Sequence, residues 1–288
     1  MWPRAKHKAA PERGGPILDL SGPRLAEVFE HLVRAAQPEG GIERDVGALW
    51  LKSSLFVELL GNGRAAELTE DEFRDLCGFI APVRRRVGHW LGRHGFPEMR
   101  GKLERLFAGR ADPASADRRI GEFIAGFPPD REHRWVRDLA AEALHFTAPH
   151  RYPLMTRWMW DARVGTGVLR EIWHAENVDE VTIPVTDDFA TFATLSEELE
   201  GFLSSNGVFR DLSFYVDLLC AHVYAFYMEG RGGQYLRTDF GSREDPMGHT
   251  RRLLGLDALG TEAGRTRLKL VEGKARVVGE PARLEGPR

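Results

Sequence analysis

Between Phe214 and Met228 the chain reads FYVDLLCAHVYAFYM, a stretch that is apolar on most sides of any helix it forms. A helix of that kind cannot lie on a surface, so other helices must enclose it. The run is too short to cross a bilayer, and it carries Asp217 and His222. It therefore reads as a buried core helix. The chain has 288 residues, 42% hydrophobic and 29% charged, which is ordinary for a globular protein and enough to build such a surround. The expectation is a mainly α fold: a multi-helix orthogonal bundle around a central apolar helix, with a small C-terminal β-hairpin.

The surrounding helices announce themselves by their ends. Ser21 offers an N-cap with Pro23 just inside, and Leu25, Val28, Phe29, Leu32, Val33 and Ala36 keep helical spacing. A second helix spans 44–60 and stops at Gly61-Asn62-Gly63. Thr69-Glu70-Asp71-Glu72 is a capping box, and Pro82 kinks or restarts the helix that follows. Further helices are expected over 98–107 and 115–125, after an Asp130 cap with apolar residues from Trp135 to Leu144, from Arg157, over 168–175, over 189–203 and over 210–229. Residues 178–185 suit a short strand or an extended connector. Arg267–Val271 and Ala275–Val278, joined by Glu272-Gly273-Lys274, suit the hairpin. The expected organisation is a flexible tail over 1–16, a helical domain over 17–260 with a soft boundary near 126–130, and a hairpin and tail over 261–288.

The formal net charge of −3 excludes a general nucleic-acid or membrane coat, but charge is unevenly spread. Residues 84–119 hold ten Lys/Arg against four acids, and 171–200 hold nine acids with no Lys or Arg. The bland account is two solvated helical faces; the sharper one is a basic and an acidic docking patch. Cys77 and Cys220 are the only cysteines, too few for a disulfide framework, which fits a reducing, cytoplasmic setting.

The most unusual segment is 145–174. It holds Trp158, Trp160 and Trp173 with Arg151, Arg157, Arg163 and Arg170. Aromatic planes interleaved with guanidinium forks suit a carboxylate, a phosphate, a nucleobase or a partner surface. The candidate binding residues are His150, Arg151, Arg157, Trp158, Trp160, Asp161 and Arg163, with Asp161 able to hold an arginine. The competing account puts the tryptophans in the core and the arginines in structural ion pairs.

Two Glu-x-x-His pairs, Glu142/His145 and Glu171/His174, are half of what a carboxylate-bridged di-iron bundle uses. A helical wheel turns Glu142 about 95° and His145 about 150° from the local apolar stripe, with Glu171 and His174 similarly turned away. On that geometry all four are surface or boundary residues, and no metal is assigned. Residues 229–235 read as a glycine-rich helix end rather than a phosphate loop, since strand, Lys and Ser/Thr are missing. His222 reads as a satisfied core histidine. The leading functional expectation is an accessory or regulatory protein that binds a protein partner or a small anionic ligand through 145–174. A helical enzyme built from His145, His150, Asp161, Glu171 and His174, and a nucleic-acid binder using 84–119, are the alternatives. No cofactor is specified.

Overall fold

The computed structural model describes residues 15–178, 180–232, 246–262, 265–268 and 276–278. Among them the chain is mainly helical, and no helix is long and apolar enough to cross a membrane. The helices are α1 (Gly22–Ala36), α2 (Ile42–Leu60), α3 (Glu70–Gly78), α4 (Ala81–Arg84), α5 (Val87–His94), α6 (Phe96–Phe107), α7 (Ala116–Ala125), α8 (Trp135–Thr147), α9 (Val168–Glu171), α10 (Phe189–Ser205), α11 (Leu212–Gly232) and α12 (Pro246–Leu253). Their ends follow the local chemistry. Ser21 accepts the Arg24 N–H at the start of α1, Thr69 and Glu72 form both halves of the capping box on α3, and Pro82 sits in the first turn of α4.

The apolar α11 is enclosed by α1, α2, α9, α10 and α12. Core residues on both sides of 126–130 pack into one cluster. A second helix is still more deeply placed. From Trp135 to Phe146 only Arg137 of α8 escapes burial. Ala140, Ala141 and Ala143 have almost no side chain, so α2, α4 and α7 close in around α8. This corrects the wheel argument: Glu142 and His145 are 2% and 1% exposed. A stripe drawn from one helix's own apolar residues cannot show that neighbours cover its other faces.

The polar residues on that buried helix are matched one by one. Asp138, Glu142 and His145 lie at i, i+4 and i+7, so they share one side. Lys52 of α2 donates to Glu142 Oε2 (2.6 Å), to the Phe79 carbonyl (3.0 Å) and to the Leu254 carbonyl (2.8 Å). All three N–H groups of the ammonium are thereby used, and Nζ also lies 3.8 Å from the centre of the Phe146 ring. Burial pushes the Lys52 pKa down, against the pull of Glu142, and raises the Glu142 carboxyl to about 7, against the pull of Lys52. His145 bonds Asp217 Oδ2 through Nε2 (2.8 Å) and the Tyr152 carbonyl through Nδ1 (2.7 Å).

Several expected elements come out differently. Asp130 does not cap α8; its Oδ1 accepts the Glu132 and His133 N–H groups one turn earlier. The residues from Arg157 form turns, not a helix. Helix α9 ends at Glu171 because the next residues pair with the segment before α1: Ser21 donates to Ile172 O, and His174 to Asp19 O. Among its described residues, 178–185 is an extended connector rather than a strand; the Arg170 guanidinium gathers the Gly165, Val178 and Val181 carbonyls instead. Leu259–Glu262, Arg265–Leu268 and Arg276–Val278 are short antiparallel segments. The turn of the expected hairpin, 269–275, lies outside the described residues, as do 1–14 of the expected tail and the glycine-rich stretch beyond Gly232.

Two measurements check this core. Lys52→Met leaves the Glu142 carboxyl buried without its partner and is expected to cost about 3–5 kcal/mol in urea unfolding, much of it recovered when Glu142→Leu is added. Equal stability of the single and double variants would contradict the pairing. The second concerns His222, held between His31 (2.8 Å) and Thr250 (2.9 Å). Burial, helped by His31, lowers its pKa from 6.5 to about 4. An unfolded chain takes up that proton before the folded one does, so stability present above pH 6.5 is lost as pH falls toward 4, by about 3 kcal/mol. The urea midpoint is expected to fall less steeply through this window in His222→Gln.

Candidate functional site: an arginine-lined cleft

One wall of the cleft is the loop 157–166, which Asp138 holds from inside the core. Its Oδ1 accepts the Arg157 backbone N–H (3.1 Å) and its Oδ2 accepts the Arg157 guanidinium (2.8 Å). A single buried carboxylate thus positions both backbone and side chain of Arg157. Asp161 shapes the next turn, with Oδ1 accepting the Val164 N–H and its backbone paired to Thr166. The loop closes on Gly167, whose φ is 130° and where a Cβ would stand 2.7 Å from the Met159 carbonyl oxygen. Only glycine tolerates that approach. Trp158 then meets Tyr224 of α11 edge to face, with ring centres 6.2 Å apart.

The opposite wall is α12. Arg251 grips Asp45 of α2 with two nitrogens (2.7 and 3.1 Å) and reaches Glu39 (2.6 Å). Lys52 takes the Leu254 carbonyl, and Arg84 forks onto both oxygens of Asp257 at 2.8 Å. The chain passes so close to Phe79 that a Cβ on Gly255 (φ 72°) would fall 1.7 Å from its carbonyl oxygen. These contacts fix His249 and Arg252 as lining residues of the cleft.

Between the walls lies a cavity of about 560 Å³, lined by Arg134, Arg157, Trp158, Asp161, Tyr224 and Arg252 among others. It adjoins a second cavity of about 520 Å³ lined by Arg84, Arg85, Arg86, Arg131, Arg134, Arg157 and Arg252, with no carboxylate among the described residues of its lining. Arg84 is committed to Asp257. The side chains of Arg85, Arg86, Arg131 and Arg134 are exposed, with no side-chain hydrogen bond or ion pair to a described residue. Arg157 Nε is buried without a partner among the described residues. Burial raises the Tyr224 pKa, which keeps the phenol a hydrogen-bond donor.

Of the residues expected from sequence, Arg157, Trp158 and Asp161 are brought together here. Trp160 is a core residue whose indole N–H donates to the Val185 carbonyl. His150, Arg151 and Arg163 are exposed and lie outside the cleft lining. Glu142 and His145 are taken by Lys52 and Asp217, and Glu171 and His174 sit apart from them on α9 and beyond. Among the described residues no group of His, Cys, Asp and Glu converges to hold a metal. The basic stretch 84–119 divides: Arg84 to Arg86 reach the cleft, while Lys102, Arg110 and Arg119 bond Gly126 O, Asn62 and the Leu106 carbonyl with the Tyr152 hydroxyl. Arg134, Asp138, Tyr224 and Arg252 were not anticipated. Arg134 and Asp138 belong to the start of α8, while Tyr224 and Arg252 come from α11 and α12, and nothing local in the sequence marks the three helices as neighbours.

Comparison with protein-family models, with curated proteins and with solved structures finds no match. The cleft is therefore the guide to function.

Asp138→Asn keeps the shape of the loop's anchor but removes its charge. A loss of about 1–3 kcal/mol in urea unfolding is expected, with faster amide exchange over 157–166 and unchanged exchange in α1. Exchange unaltered across the loop would show that Asp138 does not hold it.

Proposed function

We propose that this is a binding protein for an anionic ligand that carries phosphate and a planar ring. Arg134, Arg157 and Arg252 would hold the phosphate, and Trp158 with Tyr224 would border the ring. The observation that carries this reading is the second cavity, where the exposed Arg85, Arg86, Arg131 and Arg134 gather and no carboxylate among the described residues lines the space between them. Gathering like charges without counter-charges costs self-repulsion, which an anion relieves. Guanidinium forks match phosphate oxygens two at a time, and the aromatic pair at the inner end suits a flat, partly apolar group. A concave site favours a ligand that enters it over a flat protein surface. The enzyme alternative has less support, because of its five residues only Asp161 lines the cleft. An accessory role in a reducing cytoplasm remains part of the proposal, in keeping with two buried free thiols, Cys77 and Cys220.

Titration calorimetry with ATP is the direct test. Saturable binding is expected, displaced by pyrophosphate and weakened about tenfold or more by Arg134→Ala. Absence of saturable heat with both ATP and pyrophosphate would remove the proposal.

A further inference from the structure

The arginine cavity does not end where a small ligand would. It shares Arg85, Arg86 and Trp135 with a third cavity of about 420 Å³, to which His89, Arg93 and His133 also contribute. It shares Arg134, Arg157 and Arg252 with the aromatic cavity on its other side. Three cavities are thus joined in a row. Each alone has the size of a small-molecule site, so a mononucleotide fills one and leaves the rest of the charge unmatched. A ligand with a repeating negative charge matches the whole row.

We propose that the ligand is a single-stranded nucleic acid. Its phosphodiester backbone follows Arg93, Arg86, Arg85, Arg131 and Arg134, and one base enters the inner cavity beside Trp158. This rests on the cleft being a phosphate site. Strands without sequence preference are held in this way, by a cationic groove along the backbone and an aromatic face for the bases. The inner cavity is concave, and a base can enter it only when it is not stacked within a duplex. Asp161 fits the same assignment. One of its oxygens is taken by the Val164 N–H, and the other has no partner among the described residues. It lines the cavity where base edges would lie, and so offers an acceptor to their amino groups. An acidic peptide has the charge but would bring carboxylates against Asp161, and it has no ring for Trp158. The acids of the outer cavity are Asp130 and Glu132, and Asp130 is already bonded to the His133 ring (2.8 Å).

The experiment is fluorescence anisotropy with a labelled oligothymidylate long enough to span the three cavities, beside thymidine monophosphate, a duplex of the same length and polyglutamate as competitors. The oligonucleotide is expected to bind at least tenfold more tightly than the monophosphate and the duplex, and to resist polyglutamate. Its affinity should fall steeply with salt, and Arg85→Ala/Arg86→Ala/Arg131→Ala should lower the log–log slope by about 2. Trp158→Ala is expected to weaken binding by about tenfold without changing that slope, in a variant whose helical circular dichroism is intact. Should Trp158→Ala fail to fold, quenching of tryptophan emission by the oligonucleotide in the unaltered protein serves instead, and its absence rejects the inserted base. If the monophosphate binds as tightly as the strand, or duplex or polyglutamate competes equally, the inference is overturned while the phosphate site stands. If neither monophosphate nor strand binds, both fall.

Discussion

The Lys52 ammonium is the contact on which the remaining architecture depends. It is fully buried, and its three N–H groups reach α8 through Glu142, the turn after α3 through Phe79, and the end of α12 through Leu254. A charge placed in a core is tolerated only when it is paired and its hydrogen bonds are complete. That requirement brings three distant parts of the chain to one point. Hydrophobic burial gathers the helices, but it is indifferent to small shifts of one against another. The ammonium is not, because a displacement breaks at least one of its three bonds.

The same logic extends outward along α8. Asp138, one turn before Glu142, carries the polar side of the helix to the base of the cleft, where it takes Arg157. The interior network and the cleft are therefore two ends of one line of side chains. Arg251 and Arg84 secure α12 from the outside in a similar way. The result is a frame around a surface where several arginines have side chains without partners among the described residues. Charge satisfied inside and unsatisfied at the rim is the contrast that gives the cleft its meaning.

Much of the helical layout was legible because it is written locally. Caps such as Ser21 and Thr69, the Pro82 restart and the apolar α11 depend on residues a turn or so apart. The site was only partly legible. Arg157, Trp158 and Asp161 stood out because aromatics and arginines crowd one segment. Arg134, Tyr224 and Arg252 did not, since each is ordinary in or just before its own helix and becomes a neighbour only through tertiary packing. The same limit misled the placement of Glu142 and His145. A periodic pattern shows which face of a helix is apolar, but not whether partners such as Lys52 and Asp217 cover the others.

Leu254 as a ligand of Lys52 has a consequence for how the chain is made. During synthesis α2 leaves the ribosome some two hundred residues ahead of its acceptor, since the two are separated by 202 positions. Until residue 254 has emerged, the ammonium keeps water or a makeshift partner, and the first helices hold only a loose arrangement. The final locking of α2 is thus timed by the arrival of α12, so the order of synthesis leaves an early helix waiting on a late one.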